Sequence, residues 1–202
     1  MNLRLTPVPL VPELSLHLAP DGAGLFDGTG GTYSTDVPPP FWAFAWAGGR
    51  ALARHVLDHP ELVAGRTVLD VAAGGGVAAI AAARAGAAAV RAVDRDPAAV
   101  AAIGRNAAAN GVAVTAAAAD VGDLTVAEDV VLAGDVFYDR TTADRMRVFL
   151  RGAARAGAIV LVGDPGRGFF PAGLFTEVAR YDVPVPPALE ETRSLRTAVW
   201  RA

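Results

Sequence analysis

The chain has no cysteine, no lysine and only three isoleucines among its 202 residues. Without cysteine there are no disulfides and no thiolate chemistry, which fits a reducing compartment. All eighteen basic residues are arginine, while alanine, glycine and proline abound. A GC-rich coding sequence explains that bias, and it means that alanine-rich stretches carry little local information. An excess of positive charge is missing too, because the formal net charge is −3. No broad positive field is available to hold a nucleic-acid backbone, so partners of that class are not expected. Long apolar runs are also absent. Arg84, Arg91, Arg105 and Asp120 interrupt the alanine-rich stretches, well short of the roughly 20 residues that a membrane span needs. Prolines 7, 9 and 12 break the apolar run of a secretory signal, and the expectation is a cytoplasmic protein.

What is present suits one domain over residues 1–202, with 52% apolar residues to build its core. Residues 1–40 are rich in proline and glycine. They read as an irregular extension or lid, or as a short strand pair with Leu14–Leu18 in one strand and Gly22 and Gly24 at the turn. The segment Phe41-Trp42-Ala43-Phe44-Ala45-Trp46 reads as the bulky opening of a helix that runs on from Ala47 to Asp58 and stops before Pro60. On that reading Trp42 and Trp46, four apart, share one helical face.

From Arg66 onward strands and helices alternate. Thr67–Val71, Ala89–Val93, Val112–Ala118, Asp129–Ala133 and Ala158–Val162 read as strands. Val77–Arg84 reads as a helix closed by Gly86. Asp96 and Pro97 open the next helix as N-cap and first-turn proline, and Gly111 closes it. Thr141, Thr142 and Asp144 suggest a capped start for a helix to Arg155. Leu174–Val183 and Leu195–Arg201 look like a closing pair of strands. The pattern predicts an α/β fold: a Rossmann-like seven-stranded sheet, mostly parallel with an antiparallel C-terminal strand, and helices on both faces.

The chemistry centres on Val68-Leu69-Asp70-Val71-Ala72-Ala73-Gly74-Gly75-Gly76. Glycines between a strand and a helix let a ligand approach the helix N-terminus. Gly74-x-Gly76-x-x-Ala79 even matches the dinucleotide fingerprint, with Asp94 at about the usual 20-residue offset. Asp70 argues against a nicotinamide enzyme, since its carboxylate at the strand end would face a pyrophosphate. S-adenosylmethionine carries a sulfonium and an ammonium instead, and a carboxylate suits it.

Asp70 to Gly76, Val93-Asp94-Arg95-Asp96-Pro97, Asn106 and Asn110-Gly111 together resemble the seven-strand methyltransferases that act on protein side chains. Pro40 to Gly49, Gly134-Asp135-Val136-Phe137-Tyr138-Asp139 and Gly163-Asp164-Pro165-Gly166-Arg167 narrow the likeness. They are similar to protein-lysine methyltransferases with a D-x-x-Y/F signature, and within them to the family that methylates the β subunit of electron transfer flavoprotein. The resemblance covers about residues 38–202. It implies S-adenosylmethionine as cofactor and a lysine of a protein, such as that β subunit, as acceptor. A small-molecule N-methyltransferase and a non-catalytic S-adenosylmethionine-binding protein are the alternatives. One departure is Ala72, where the family usually has glycine.

The resemblance also assigns residues. Asp70 is expected to hold the methionine ammonium, or else to cap a helix. Asp94 is expected to accept both ribose hydroxyls, with Arg95 beside it. Asp120 and Val121 are candidates for the adenine, with Asp123 as a rival. Ala72, Gly74 and Gly76 form the binding loop, and Trp46 is expected at the adenosine or the acceptor cleft. Asp135 is expected to hold the acceptor amine, and Tyr138 to close the pocket. Asp96 reads as an N-cap and Phe137 as packing. His55 and His59 have metal-ligand spacing, but with no third histidine nearby they read as a solvated helix face and no metal is expected. Asp164 and Arg167 are read equally as a structural turn or as a substrate-contacting loop.

Overall fold

The computed structural model describes residues 2–20, 39–186 and 192–202. Its sheet is built from β3 (Thr67–Val71), β4 (Ala89–Asp94), β5 (Thr115–Ala118), β6 (Val130–Gly134), β7 (Ile159–Asp164), β8 (Thr176–Pro184) and β9 (Ser194–Arg201). The order is β5-β4-β3-β6-β7-β9-β8. The first five strands run parallel, and β9 inserts antiparallel between β7 and β8. Parallel strands covered on both faces need apolar residues at nearly every position, and β3 buries Val68, Leu69, Asp70 and Val71 in succession.

The side-chain alternation of a strand then sorts the core into two layers. Val68, Val130, Leu132 and Leu161 face α1 (Ala47–Asp58), α2 (Val77–Arg84) and α3 (Pro97–Ala109). Leu69, Val71, Val131 and Val160 face α4 (Arg140–Arg155) on the other side. Phe137 is fully buried in this second layer, packed edge-on against Phe170 at 5.3 Å. It is packing, as the sequence suggested.

Several boundaries differ from expectation. The N-terminal segment is a hairpin of β1 (Arg4–Val8) and β2 (Val11–Leu18) that turns at Pro9-Leu10; Gly22 and Gly24, where the sequence suggested a turn, lie outside the described residues. Leu14 and Leu16 are buried against Ile80, Ala81 and Ala107, which sets the hairpin down on α2 and α3. Trp42 and Trp46 do not share a helical face. Phe41–Ala43 is a single 3-10 turn, Phe44 and Trp46 are extended, and α1 begins only at Ala47. β5 starts at Thr115, because Val112 and Val114 are used to pack the end of α3 against the hairpin layer. The cap of α4 is Asp139, whose carboxylate accepts from the Thr142 N–H at 2.9 Å; a carboxylate at the N-cap reaches the N–H three residues on directly.

Candidate active site

The carboxyl ends of β3, β4 and β6 open onto a cleft of about 640 Å³. A smaller pocket adjoins it under the glycine loop, lined by Asp70, Phe44, Trp46 and Gly49 among others. Four of the expected carboxylates border these two spaces. Asp94, Asp120 and Asp135 face the cleft, and Asp70 and Asp135 face the pocket. Asp135 therefore sits at their junction.

Each carboxylate is held by backbone before any ligand arrives. Asp70 is 2% exposed, and its Oδ2 accepts from the Ala79 N–H at 3.0 Å, in the first turn of α2. Burial, reinforced by the nearby Asp94 charge, lifts its carboxyl to about 7, against the pull of that N–H. Asp94 accepts from Gly74 N–H through Oδ2 at 2.9 Å and from Asp96 N–H through Oδ1 at 3.0 Å. This clasp ties the end of β4 to the glycine loop and fixes the carboxylate plane. Burial raises its pKa as well. Asp120 accepts from Gly122 N–H at 2.8 Å and pairs with Arg145. Asp96 caps α3, accepting from Ala98 N–H at 2.8 Å. Asp123 does not border the cleft, whereas Val121 and Arg95 do.

The loop itself divides its labour. Ala72 and Gly74 line the cleft, while Gly76 is turned toward Ile103 of α3. Ala72 has φ +52°, a left-handed conformation that costs a residue with a β-carbon about 1–2 kcal/mol. This is the physical reason that glycine is usual there. At Gly75 the constraint is close approach, because a β-carbon would lie 2.9 Å from the Trp42 carbonyl oxygen. The aromatic segment thus lies directly on the glycine loop. Trp46 folds back over it, its Nε1–H donating to the Phe41 carbonyl at 2.8 Å. Phe41 and Tyr138 face each other at 6.1 Å across the cleft mouth, both partly exposed.

Asp135 is positioned by contacts that are distant in sequence. Its φ is +55°, a strained conformation for a non-glycine residue held where surrounding structure over-determines it. Oδ2 accepts from the Gly49 N–H in the first turn of α1 at 3.1 Å, and Arg167 Nη2 lies 3.5 Å from Oδ1. Burial pushes its carboxyl up to about 6; Asp164 adds to the rise, and Arg167 with the Gly48 and Gly49 amides opposes it.

Several residues of the site carry a use that their place in the sequence does not show. Gly48, Gly134 and Gly163 let α1 touch the ends of β6 and β7 backbone to backbone. A β-carbon on Gly134 would lie 2.7 Å from Gly49 N, and one on Gly48 would lie 2.6 Å from Asp135 Oδ2 and run into the Gly163 carbonyl. Asn106 is fully buried: its Nδ2–H donates to Gly75 O at 2.8 Å, and its Oδ1 accepts from His17 N–H at 2.8 Å. It ties the hairpin to the glycine loop. Asp164 and Arg167 form a turn, as one reading of that pair expected, and Arg167 borders the cleft. His55 corrects an expectation. It is 6% exposed rather than solvated, because α1 packs on the sheet there and Tyr181 of β8 meets its Nδ1 at 3.2 Å. Among the described residues no group of three or more His, Asp or Glu residues is placed to hold a metal.

Residues 52–135 match the family model described as ribosomal protein L11 methyltransferase (PrmA). The electron transfer flavoprotein β-subunit lysine methyltransferase of Danio rerio is 37% identical over 95% of this chain and 76% of its own length. The protein of the same name from Rattus norvegicus is 36% identical over 80% of this chain and 66% of its own. Among solved structures, the ribosomal protein L11 methylase of Lactobacillus delbrueckii subsp. bulgaricus superposes with a TM-score of 0.54 at 21% identity, covering 78% of this chain and 80% of that one.

Proposed function

From the premise that this chain belongs to the electron transfer flavoprotein β-subunit lysine methyltransferase family, we propose that its acceptor is a lysine of that subunit. The chain is an S-adenosylmethionine-dependent methyltransferase of the class I fold. The residues bordering the cleft and the adjoining pocket fit that cofactor: carboxylates for its ammonium and ribose, Trp46 as an aromatic wall for its purine, and Asp70 placed where a pyrophosphate would meet a like charge. When bound, it supplies a methyl group on a sulfonium, whose leaving group is a neutral thioether.

The chain's own residues then bind and aim. We assign Asp94, already oriented by Gly74 and Asp96, to the ribose hydroxyls, and Asp70, beside the smaller pocket, to the ammonium. Asp120 and Val121 border the part of the cleft left for the purine, with Arg95 and Trp46 as its walls. Asp135 is assigned to the acceptor amine. One observation carries this: its carboxylate sits at the junction of the two spaces, behind a mouth framed by Phe41 and Tyr138 that suits a slim four-carbon stem.

A free lysine ammonium titrates at about 10.4 and must lose a proton before its nitrogen can attack. With a carboxyl at about 6, Asp135 is too acidic to be an efficient base for it. Its work is to accept a hydrogen bond and aim the lone pair, while the proton leaves to water. Most of the rate then comes from positioning.

Asp135→Ala separates binding from catalysis. Calorimetry should find S-adenosylhomocysteine affinity within a few-fold of wild type, with methyl transfer reduced at least about a hundredfold. Near-normal turnover in that variant would remove the assignment.

A further inference from the structure

We propose that Arg167 sets the protonation state of the acceptor amine, favouring the neutral amine beside an ionised Asp135 over the ammonium. The inference rests on the assignment of Asp135 to that amine. Arg167 Nη2 lies 3.5 Å from Asp135 Oδ1, and its side chain borders the cleft while only 24% exposed. A dedicated turn holds it there. β7 ends in Asp164, 1% exposed, whose Oδ1 accepts from the N–H groups of both Gly166 and Arg167 at 2.7 Å. The Phe170 N–H then donates to the Arg167 carbonyl at 3.0 Å.

A carboxylate alone is a poor host for this reaction. It attracts the proton onto the lysine nitrogen and keeps the substrate in its unreactive form. The unreactive pair, carboxylate plus ammonium, is neutral, and the reactive pair, carboxylate plus free amine, carries one negative charge. A guanidinium beside the carboxylate stabilises the second relative to the first. Across roughly 5–7 Å in a half-buried site, with an effective dielectric near 20, the effect is on the order of two pH units. The proton released goes to water. The nitrogen lone pair then forms the new N–C bond, and the S–C bonding pair returns to sulfur, so no protein group ends with a changed charge.

Arg167→Met is the test, with electron transfer flavoprotein as substrate. The rising limb of the kcat–pH profile should move about one to two units alkaline. At pH 7.5 kcat should fall about tenfold or more and recover at high pH, with KM unchanged or lower. A second readout needs no turnover. Binding of electron transfer flavoprotein to the S-adenosylhomocysteine complex, followed by calorimetry in buffers of different ionisation heat, should release most of a proton at about pH 9.5 in wild type and little or none in the variant. A loss of equal proportion at every pH, or equal proton release in both proteins, overturns the inference while leaving the function intact. A wild type that methylates no lysine overturns the function and the inference with it.

Discussion

The Gly49 N–H donates to Asp135 Oδ2 at 3.1 Å, across 86 residues of sequence. The first turn of α1 thereby meets the strained end of β6, and the contact is permitted because Gly48, Gly134 and Gly163 carry no side chains where the three backbones meet. The helix N-terminus favours negative charge on that carboxylate, against a burial that opposes it.

Gly48→Ala should therefore disable the enzyme without emptying it. Its new β-carbon collides with the Gly163 carbonyl and with Asp135 itself, so α1 must lift from the sheet. Transfer should drop about a hundredfold or more, with a melting temperature several degrees lower. S-adenosylhomocysteine binding, carried mainly by the loops after β3, β4 and β5, should fall far less than transfer. Unchanged turnover would show that the α1 contact does not position Asp135.

Asp70→Asn is predicted to stabilise the ligand-free protein and to weaken the cofactor. The Asp70 carboxyl titrates at about 7 when folded, against an ordinary 3.8. Between those values the folded protein keeps a proton that the unfolded chain has released, so this residue's contribution falls as pH rises from about 4 to 7 and stays low above. Removing the charge should recover up to about 4 kcal/mol at pH 8 and nothing at pH 3. Asparagine still offers an oxygen to the Ala79 N–H. Its loss of charge should cost about tenfold or more in affinity for S-adenosylmethionine, read by calorimetry. Equal melting temperatures at pH 8 would contradict the burial cost.

Much of this site's frame was legible in the sequence. β3 and α2 fall at Thr67–Val71 and Val77–Arg84 because short apolar runs bounded by glycine leave few other foldings, and Asp96-Pro97 marks the start of α3 by local capping alone. Contacts between distant segments left no such trace. Nothing periodic in Gly48, Gly134 or Gly163 announces that they meet. The burial of His55 depends on Tyr181, 126 residues away, and the turn at Leu10 uses a left-handed leucine that turn chemistry would not select. Asp164 and Arg167 could be located but not paired with Asp135, since their meeting depends on β6 lying beside β7.

Ala72→Gly should stabilise the protein modestly. The alanine holds φ +52° on an exposed loop, so glycine relieves about 1–2 kcal/mol of strain and gives back about 0.5–1 kcal/mol through the freer unfolded chain. The net gain is about 1 kcal/mol or less, a rise of up to roughly 2–4 °C for a chain of this size. A drop in melting temperature would mean that the Ala72 methyl makes contacts that outweigh its strain.

The central claim, that the acceptor is a protein lysine, is tested most directly by mixing the enzyme with the electron transfer flavoprotein of the same cell and methyl-labelled S-adenosylmethionine. This chain contains no lysine, so automethylation on lysine cannot contribute to the signal. The account predicts label on the β subunit alone, on lysine, and none when Asp135 is replaced by alanine. Label on small metabolites with none on protein would contradict it and identify a small-molecule N-methyltransferase built on the same fold.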